Sequence, residues 1–271
     1  MKVGREALEF TNPGARYIVL TDKETAPALE KDFEVEVLAP SGEPLMRQYM
    51  LAQLAYEKKA EDGLVVLAAT DCAAVRDLST SLQHNMAVTY RIMGKAMINN
   101  IAYVYDHDRA AWFLRRALDM MNPDFYEFWG DQESWQDALG PSEEWEPLNP
   151  DYPDRIRVAK PDGCWIHLYP CRTHNYFVKR SGAFSNIARR AYLVHFKGNR
   201  KLMMVESVCW NILGRAPQGE AFPNWKQARE NSLVLPMEER RARVIKQLKK
   251  KRGVGGECGS FLLDQDTGEK N

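Results

Sequence analysis

Apolar and polar positions divide the chain into short strands and amphipathic helices. Residues 16–20 (RYIVL) are mostly apolar and stop at Thr21 and Asp22, which predicts a short buried strand. Residues 32–38 (DFEVEVL) alternate strictly and predict a second strand. Leu45, Met46, Tyr49, Met50, Ala52, Leu54 and Ala55 recur at helical spacing, so 45–59 reads as an amphipathic helix. The continuous apolar run 64–69 (LVVLAA) predicts a central strand leading into Thr70 and Asp71. Strands are also predicted over 86–91, 96–105, 165–170 and 191–195. Helices are predicted over 109–121, capped by Asp108, over 133–139 after Asp131 and Gln132, and over 205–213. Residues 1–15 read as a polar lead-in with a turn at Asn12-Pro13-Gly14. Residues 140–163 read as a long loop and 171–186 as irregular.

Composition narrows the classes. A length of 271 residues suits one large domain or a domain with an appendage, and 45% apolar residues suffice for a real core. With 37 basic and 37 acidic residues, bulk charge gives no reason to expect a nucleic-acid or membrane partner, so any such case rests on a local patch. One patch exists: a very basic run from 239 to 252, followed by a Gly-rich and then acidic stretch read as a flexible tail. The five cysteines are scattered without CxxC spacing, which indicates neither a zinc site nor a disulfide scaffold and leaves a cytoplasmic setting as the expectation. No apolar signal core or run of about 18 apolar residues is present, so no transmembrane segment is expected.

Several polar residues interrupt or end apolar runs. Thr21 and Asp22 occupy a strand end where ligands sit in open α/β sheets, and suit a helix cap equally well. Asp71 has the same two readings, metal carboxylate or cap. Arg47 is a solvated helix cation or a phosphate contact. Asn99 and Asn100 are amides inside an apolar strand and need partners, a sugar or a local backbone turn. His195 ends a strand, Gly198 follows three residues on and Lys201 three after that. That spacing suits a metal-binding imidazole, a close backbone approach and a cation for phosphate, and equally a capped strand end with a solvated basic turn.

Taken in order, these pieces resemble the nucleotide-sugar-dependent glycosyltransferases of GT-A fold, especially the retaining group that includes glycogenin and the bacterial galactosyltransferases (family 8). Residues 17–22 (YIVLTD) look like that family's first strand, whose end contacts the nucleobase. Residues 67–77 (LAATDCAAVRD) are similar to its metal-binding Asp-x-Asp segment. Residues 87–91 with Ile98, Asn99, Asn100 and Ile101 look like its sugar-contacting strand, and Trp129-Gly130-Asp131-Gln132 like its Asp-Gln pair. His195, Gly198 and Lys201 match His-x-x-Gly-x-x-Lys at every defined position. The resemblance covers residues 16–203, with departures. Ala69 stands where the first Asp of Asp-x-Asp would be, so that motif offers one carboxylate; Asn100 and Ile101 replace the usual Thr or Ser and Gly.

The resemblance implies a Rossmann-like α/β fold of GT-A type, with a mixed central sheet flanked by helices. The transferase domain would span 1–203, a C-terminal extension with a basic helix 204–252, and the tail 253–271. It implies transfer of a sugar from a nucleoside diphosphate sugar, by family likeness a UDP-sugar, to an acceptor hydroxyl with retention of configuration. Asp71 and His195 would bind Mn²⁺ or Mg²⁺, Thr21, Asp22, Arg47, Thr70, Asn99, Asn100, Gly198 and Lys201 would contact the donor with Asp71, and Asp131 and Gln132 would lie at the reacting carbon. The acceptor stays open between a glycan, a glycolipid and a nucleic acid; the basic run is either a solvated helix or a contact for the last or for an anionic surface. The loss at Ala69 also leaves open a non-catalytic sugar-nucleotide-binding protein.

Overall fold

In chain order the elements are α1 (Lys2–Thr11), β1 (Ile18–Thr21), α2 (Ala26–Leu29), β2 (Glu34–Val37), α3 (Leu45–Glu57), β3 (Val65–Leu67) and β4 (Cys72–Ala74). There follow β5 (Met86–Met93), β6 (Lys95–Val104), α4 (His107–Asp119), α5 (Gly130–Leu139), β7 (Glu146–Pro147), β8 (Arg157–Ala159) and β9 (Ile166–Pro170). The series ends with α6 (Cys171–His174), β10 (Tyr176–Phe177), β11 (Leu193–His195) and α7 (Met204–Asn211). This computed structural model describes residues 1–61, 63–80, 85–93, 95–126, 130–151, 155–178 and 184–217. All belong to one unit, Met1–Phe222; the unit Pro223–Asn271, with the basic run and the tail, lies outside the described residues.

The protein is mixed α/β. A six-stranded sheet has the order β3-β6-β5-β9-β8-β7, a three-stranded sheet the order β10-β11-β4, and β1 and β2 form a parallel pair. The large sheet is mixed: β5 and β9 are parallel, and the other neighbours are antiparallel. Alternation along β5 builds the layers. Met86, Val88 and Tyr90 face a core shared with Met50 and Leu54 of α3, Phe113 and Leu114 of α4, and Trp135 of α5. Ala87 faces the other way, onto Cys72, Ala74 and Leu193 of the small sheet. The far side of the small sheet, Ala73 and Val194, packs on Val3 and Ala7 of α1 and on Met204 and Val208 of α7.

Three sequence expectations change. Residues 1–15 are not a plain polar lead-in: Val3 and Ala7, one turn apart, bury one face of α1. The stretch 140–163 is not one long loop, since β7 and β8 extend the large sheet at its edge. The run at 64–69 forms the terminal strand of its sheet rather than a central one. A smaller shift concerns α4, whose cap is Asp106, accepting the Arg109 N–H at 3.0 Å, not Asp108. Among the described residues no helix is long and apolar enough to cross a membrane.

The chain direction places the polar residues. β3, β5 and β9 run the same way, because β3 and β5 are both antiparallel to β6 and β9 is parallel to β5. Between β5 and β6 the register passes from Val88↔Ala102 to Thr89↔Asn99, so Asn100 and Ile101 are extra residues on β6. This bulge takes in Asn100, one of the two amides noted in the sequence, and directly follows the other, Asn99; bulges re-aim side chains.

Candidate functional site

Asp71 follows β3 in a tight turn, closed by the Cys72 N–H donating to the Ala69 carbonyl at 3.1 Å. Ala69 therefore supplies a backbone oxygen and no carboxylate. On the small sheet His195 pairs in register with Cys72, which brings its ring beside Asp71. His195 Nε2 lies 3.2 Å from Asp71 Oδ1, and Lys201 Nζ 3.0 Å from Asp71 Oδ2. Asp71 and His195 are buried, while Lys201 reaches in from the surface. Burial pushes the Asp71 carboxyl up, but the His195 hydrogen bond and the His195 and Lys201 charges outweigh it and hold its pKa at about 2.

The other ring nitrogen of His195 is held too. Nδ1 donates to Asn175 Oδ1 at 3.0 Å, and Asn175 Nδ2 donates to Thr89 Oγ1 at 3.3 Å. Thr89 Oγ1 in turn donates to the Asn99 carbonyl at 3.0 Å. This chain ties the small sheet to the bulge of the large one and turns Nε2 toward Asp71. Neither atom of the Asn99 amide makes a hydrogen bond of normal geometry, although the weak Cys171 thiol is close to it. On the helix side of the bulge, Asn100 Nδ2 donates to Asp131 Oδ2 at the start of α5. Asp131 is buried and its Oδ1 has no partner. Burial raises its pKa, against the Gln132 N–H, Lys197 and Asn100, which lower it.

Four separated stretches of sequence thus meet where the two sheets adjoin the start of α5, through Asp71, Asn99 and Asn100, Asp131, and His195 with Lys201. Other expected site residues have different surroundings. Asp22 accepts from the Thr25 N–H at 2.7 Å and from its hydroxyl at 3.0 Å, the local cap that was its alternative reading. Arg47 pairs with Glu43 at 3.0 Å and lies over Tyr126. Thr21 is buried, and its carbonyl accepts from Leu38 and Ala39. Thr70 is exposed beside Asp71, and Gln132 is half-buried in the first turn of α5. Gly198 begins a 3₁₀ turn, Gly198–Met203, that carries Lys201. Trp129 lies outside the described residues.

The sequence reading missed several members of this cluster. Asn175 and Thr89 orient His195. Cys72 joins Asp71 and His195 in a group whose donor atoms all lie within 4.8 Å of one another. Arg91 on β5 and Lys197 after β11 flank Phe177, at 5.3 and 5.6 Å from its ring centre. Tyr49 of α3 has a buried hydroxyl beside Gln53 and a pKa raised by burial and by the Asp131 charge, with Gln53 opposing. Lys197 is lowered by burial and by Arg91, against the opposite pull of Asp131. The only sequence signals were an Arg ending an apolar strand and a Lys at an unspecified position of the His-Gly-Lys spacing.

A cation fits the Asp71–His195 pair. Ligands about 2.1 Å from one metal stand about 3.0–3.4 Å apart for octahedral or tetrahedral angles, which brackets the observed 3.2 Å. Carboxylate and imidazole donors suit Mn²⁺, and carboxylate suits Mg²⁺. The Cys72 thiol is pushed well above its usual pKa by burial and by Asp71, which keeps it protonated and a poor ligand for such hard ions. Comparison of the chain with protein-family models, with curated proteins and with solved structures finds no match.

Proposed function

We propose that this protein is a glycosyltransferase of GT-A type that moves a sugar from a nucleoside diphosphate sugar to an acceptor hydroxyl. One observation carries the reading: residues nominated by motif order at 71, 99–100, 131, 195 and 201 form one connected cluster, from Lys201 through Asp71, His195, Asn175 and Thr89 to Asn99, and from Asn100 to Asp131. Asp71 in this cluster follows the end of β3, a place where ligands sit in α/β sheets. Fold alone does not assign chemistry, so the proposal rests on the site.

In this reading Lys201 leaves its apo partner Asp71 and meets the diphosphate. Asn99, whose amide lacks partners, hydrogen-bonds the donor sugar. Asp131 and Gln132 border the reacting carbon and the acceptor. Asp71 and His195 would hold Mn²⁺ or Mg²⁺, which supplies positive charge against the leaving diphosphate. The acceptor oxygen bonds to the anomeric carbon from the face that the diphosphate leaves. The nucleoside diphosphate departs with the bonding electrons and takes the acceptor proton. The test is release of nucleoside diphosphate from a panel of donor sugars with Mn²⁺ or Mg²⁺ present. Release from at least one donor, lost in Asp71→Ala, is expected; no release and no binding across the panel overturns the proposal.

A second reading is a metal-independent sugar-nucleotide-binding protein. It is favoured by the Lys201–Asp71 ion pair, which with His195 already compensates the one carboxylate that remains where Ala69 stands. Donor binding that ignores Mn²⁺ and EDTA, without turnover, would select it. A nucleic-acid or anionic-surface acceptor depends on 239–252, outside the described residues.

A further inference from the structure

Arg91 and Lys197 present an excess of positive charge that the Asp71 cluster does not use. Both are half-buried and both lie against the Phe177 ring. Arg91 Nε is fully buried and has no hydrogen-bond partner. Among the described residues neither cation meets a carboxylate at ion-pair distance. The two acids that face this space are engaged, Asp71 with His195 and Lys201, and Asp131 with Asn100. Taking a cation out of water costs free energy unless a partner restores it, and a cation–ring contact returns only part of that. Two such cations around one ring repel each other and favour a shared counter-ion. Arg offers a planar fork for oxyanions and Lys a movable point charge.

We propose that Arg91 and Lys197 form an oxyanion site, distinct from Lys201, that takes a phosphate or carboxylate group of the ligand. The proposal rests on the glycosyltransferase reading for its ligand: the oxyanion is either the phosphate of the donor or the carboxylate of an acidic sugar. Phe177 supplies an apolar wall that keeps both cations partly dry, which strengthens their pull on an anion.

Calorimetry on the full chain tests this with three probes: inorganic phosphate, UDP-glucose and UDP-glucuronate. Phosphate should bind the natural chain, and Arg91→Gln and Lys197→Gln should each weaken it about tenfold or more. A preference for UDP-glucuronate over UDP-glucose that vanishes in both variants identifies the carboxylate source. Equal donor affinities that fall together identify the phosphate source. Phosphate binding that depends on both cations without any donor binding leaves the oxyanion site standing and overturns the glycosyltransferase reading. A chain that binds none of the probes, or variants that bind all three as the natural chain does, overturns the oxyanion site. Thermal unfolding guards against a folding defect. Arg91→Met and Lys197→Met should raise the melting temperature of the unliganded chain, since each removes a charge held without a partner; a lower melting temperature in both would make the pair structural and overturn the proposal.

Discussion

Among the described residues two carboxylate–histidine pairs occur, each with its carboxylate buried, and they differ in what surrounds them. Glu57 of α3 and His107 of α4 meet at 2.7 Å beside the helical layer. Asp71 and His195 meet at 3.2 Å between the two sheets. Burial raises the Glu57 pKa and His107 opposes it without winning. At Asp71 the balance reverses, because Lys201 adds a second cation. Unpartnered atoms alone do not separate the two, since Glu57 Oε1 and His107 Nε2 also lack partners. What separates them is company. The first pair joins two helices, while the second stands with Asp131, Arg91, Lys197 and the unsatisfied Asn99 amide. A buried acid–imidazole contact becomes a candidate site when further charges converge on it.

Substitutions can break the comparison. Under the proposed function, Asp71→Ala and His195→Ala should each lower kcat/KM by about 100-fold or more, as losing a transition-state charge partner does. Glu57→Gln should leave kcat/KM within about threefold, because that pair touches no ligand; a loss there comparable to Asp71→Ala would erase the distinction. Asn175→Ala should weaken Mn²⁺ binding about 10-fold or more by freeing the His195 ring, read by metal titration; His107→Ala should not. For stability the ranking inverts. His107→Ala leaves Glu57 buried without its partner and should cost about 1–3 kcal/mol in urea unfolding. Asp131→Asn removes a buried carboxylate whose charge is disfavoured and should raise stability while lowering activity, the usual conflict at a functional site.

The pH dependence sharpens the contrast through its sign. Asp71 is depressed in the folded chain, to about 2 from an unfolded value of about 3.9. Its contribution is therefore present above about pH 4 and lost as the pH falls through about 2. Glu57 and Asp131 are raised, so the folded state takes up their protons more readily and their protonation favours folding as the pH drops. Asp71→Asn should flatten the loss of stability between about pH 4 and pH 2. Glu57→Gln should act at higher pH, removing a gain in stability that appears as the pH falls toward about 4, the unfolded value of a Glu. Equilibrium unfolding from neutral pH down to about pH 2 separates the two windows.

Much of the architecture was legible from patterning. The strands at 18–21, 34–37, 86–93 and 166–170 and the helices over 45–57 and 130–139 follow apolar periodicity directly. α1 was not legible because two small apolar residues, Val3 and Ala7, carry its buried face amid polar neighbours. β7 and β8 are two and three residues long, too short for any period to register. At the site, spacing nominated Asp71, His195 and Lys201, and the structure joins them by ion pairs. It did not nominate Asn175, Thr89 or Phe177, whose roles arise from the β11–β4 register and the β6 bulge. Such contacts between distant strands leave no local trace. Asp22 shows the reverse case, a residue whose position suited a ligand and whose side chain caps the next turn.

Under the proposed function, Asp71 and His195 anchor a nucleoside diphosphate sugar through a divalent cation. The most direct test is the melting temperature of the full chain with UDP, with Mn²⁺, and with both, for the natural sequence and for Asp71→Ala. A ligand at about 100 times its Kd should raise the midpoint by about 5 °C or more. That shift is expected for UDP and Mn²⁺ together, less for either alone, and none in Asp71→Ala. An unchanged melting temperature with every nucleoside diphosphate tried, with and without metal, would contradict it.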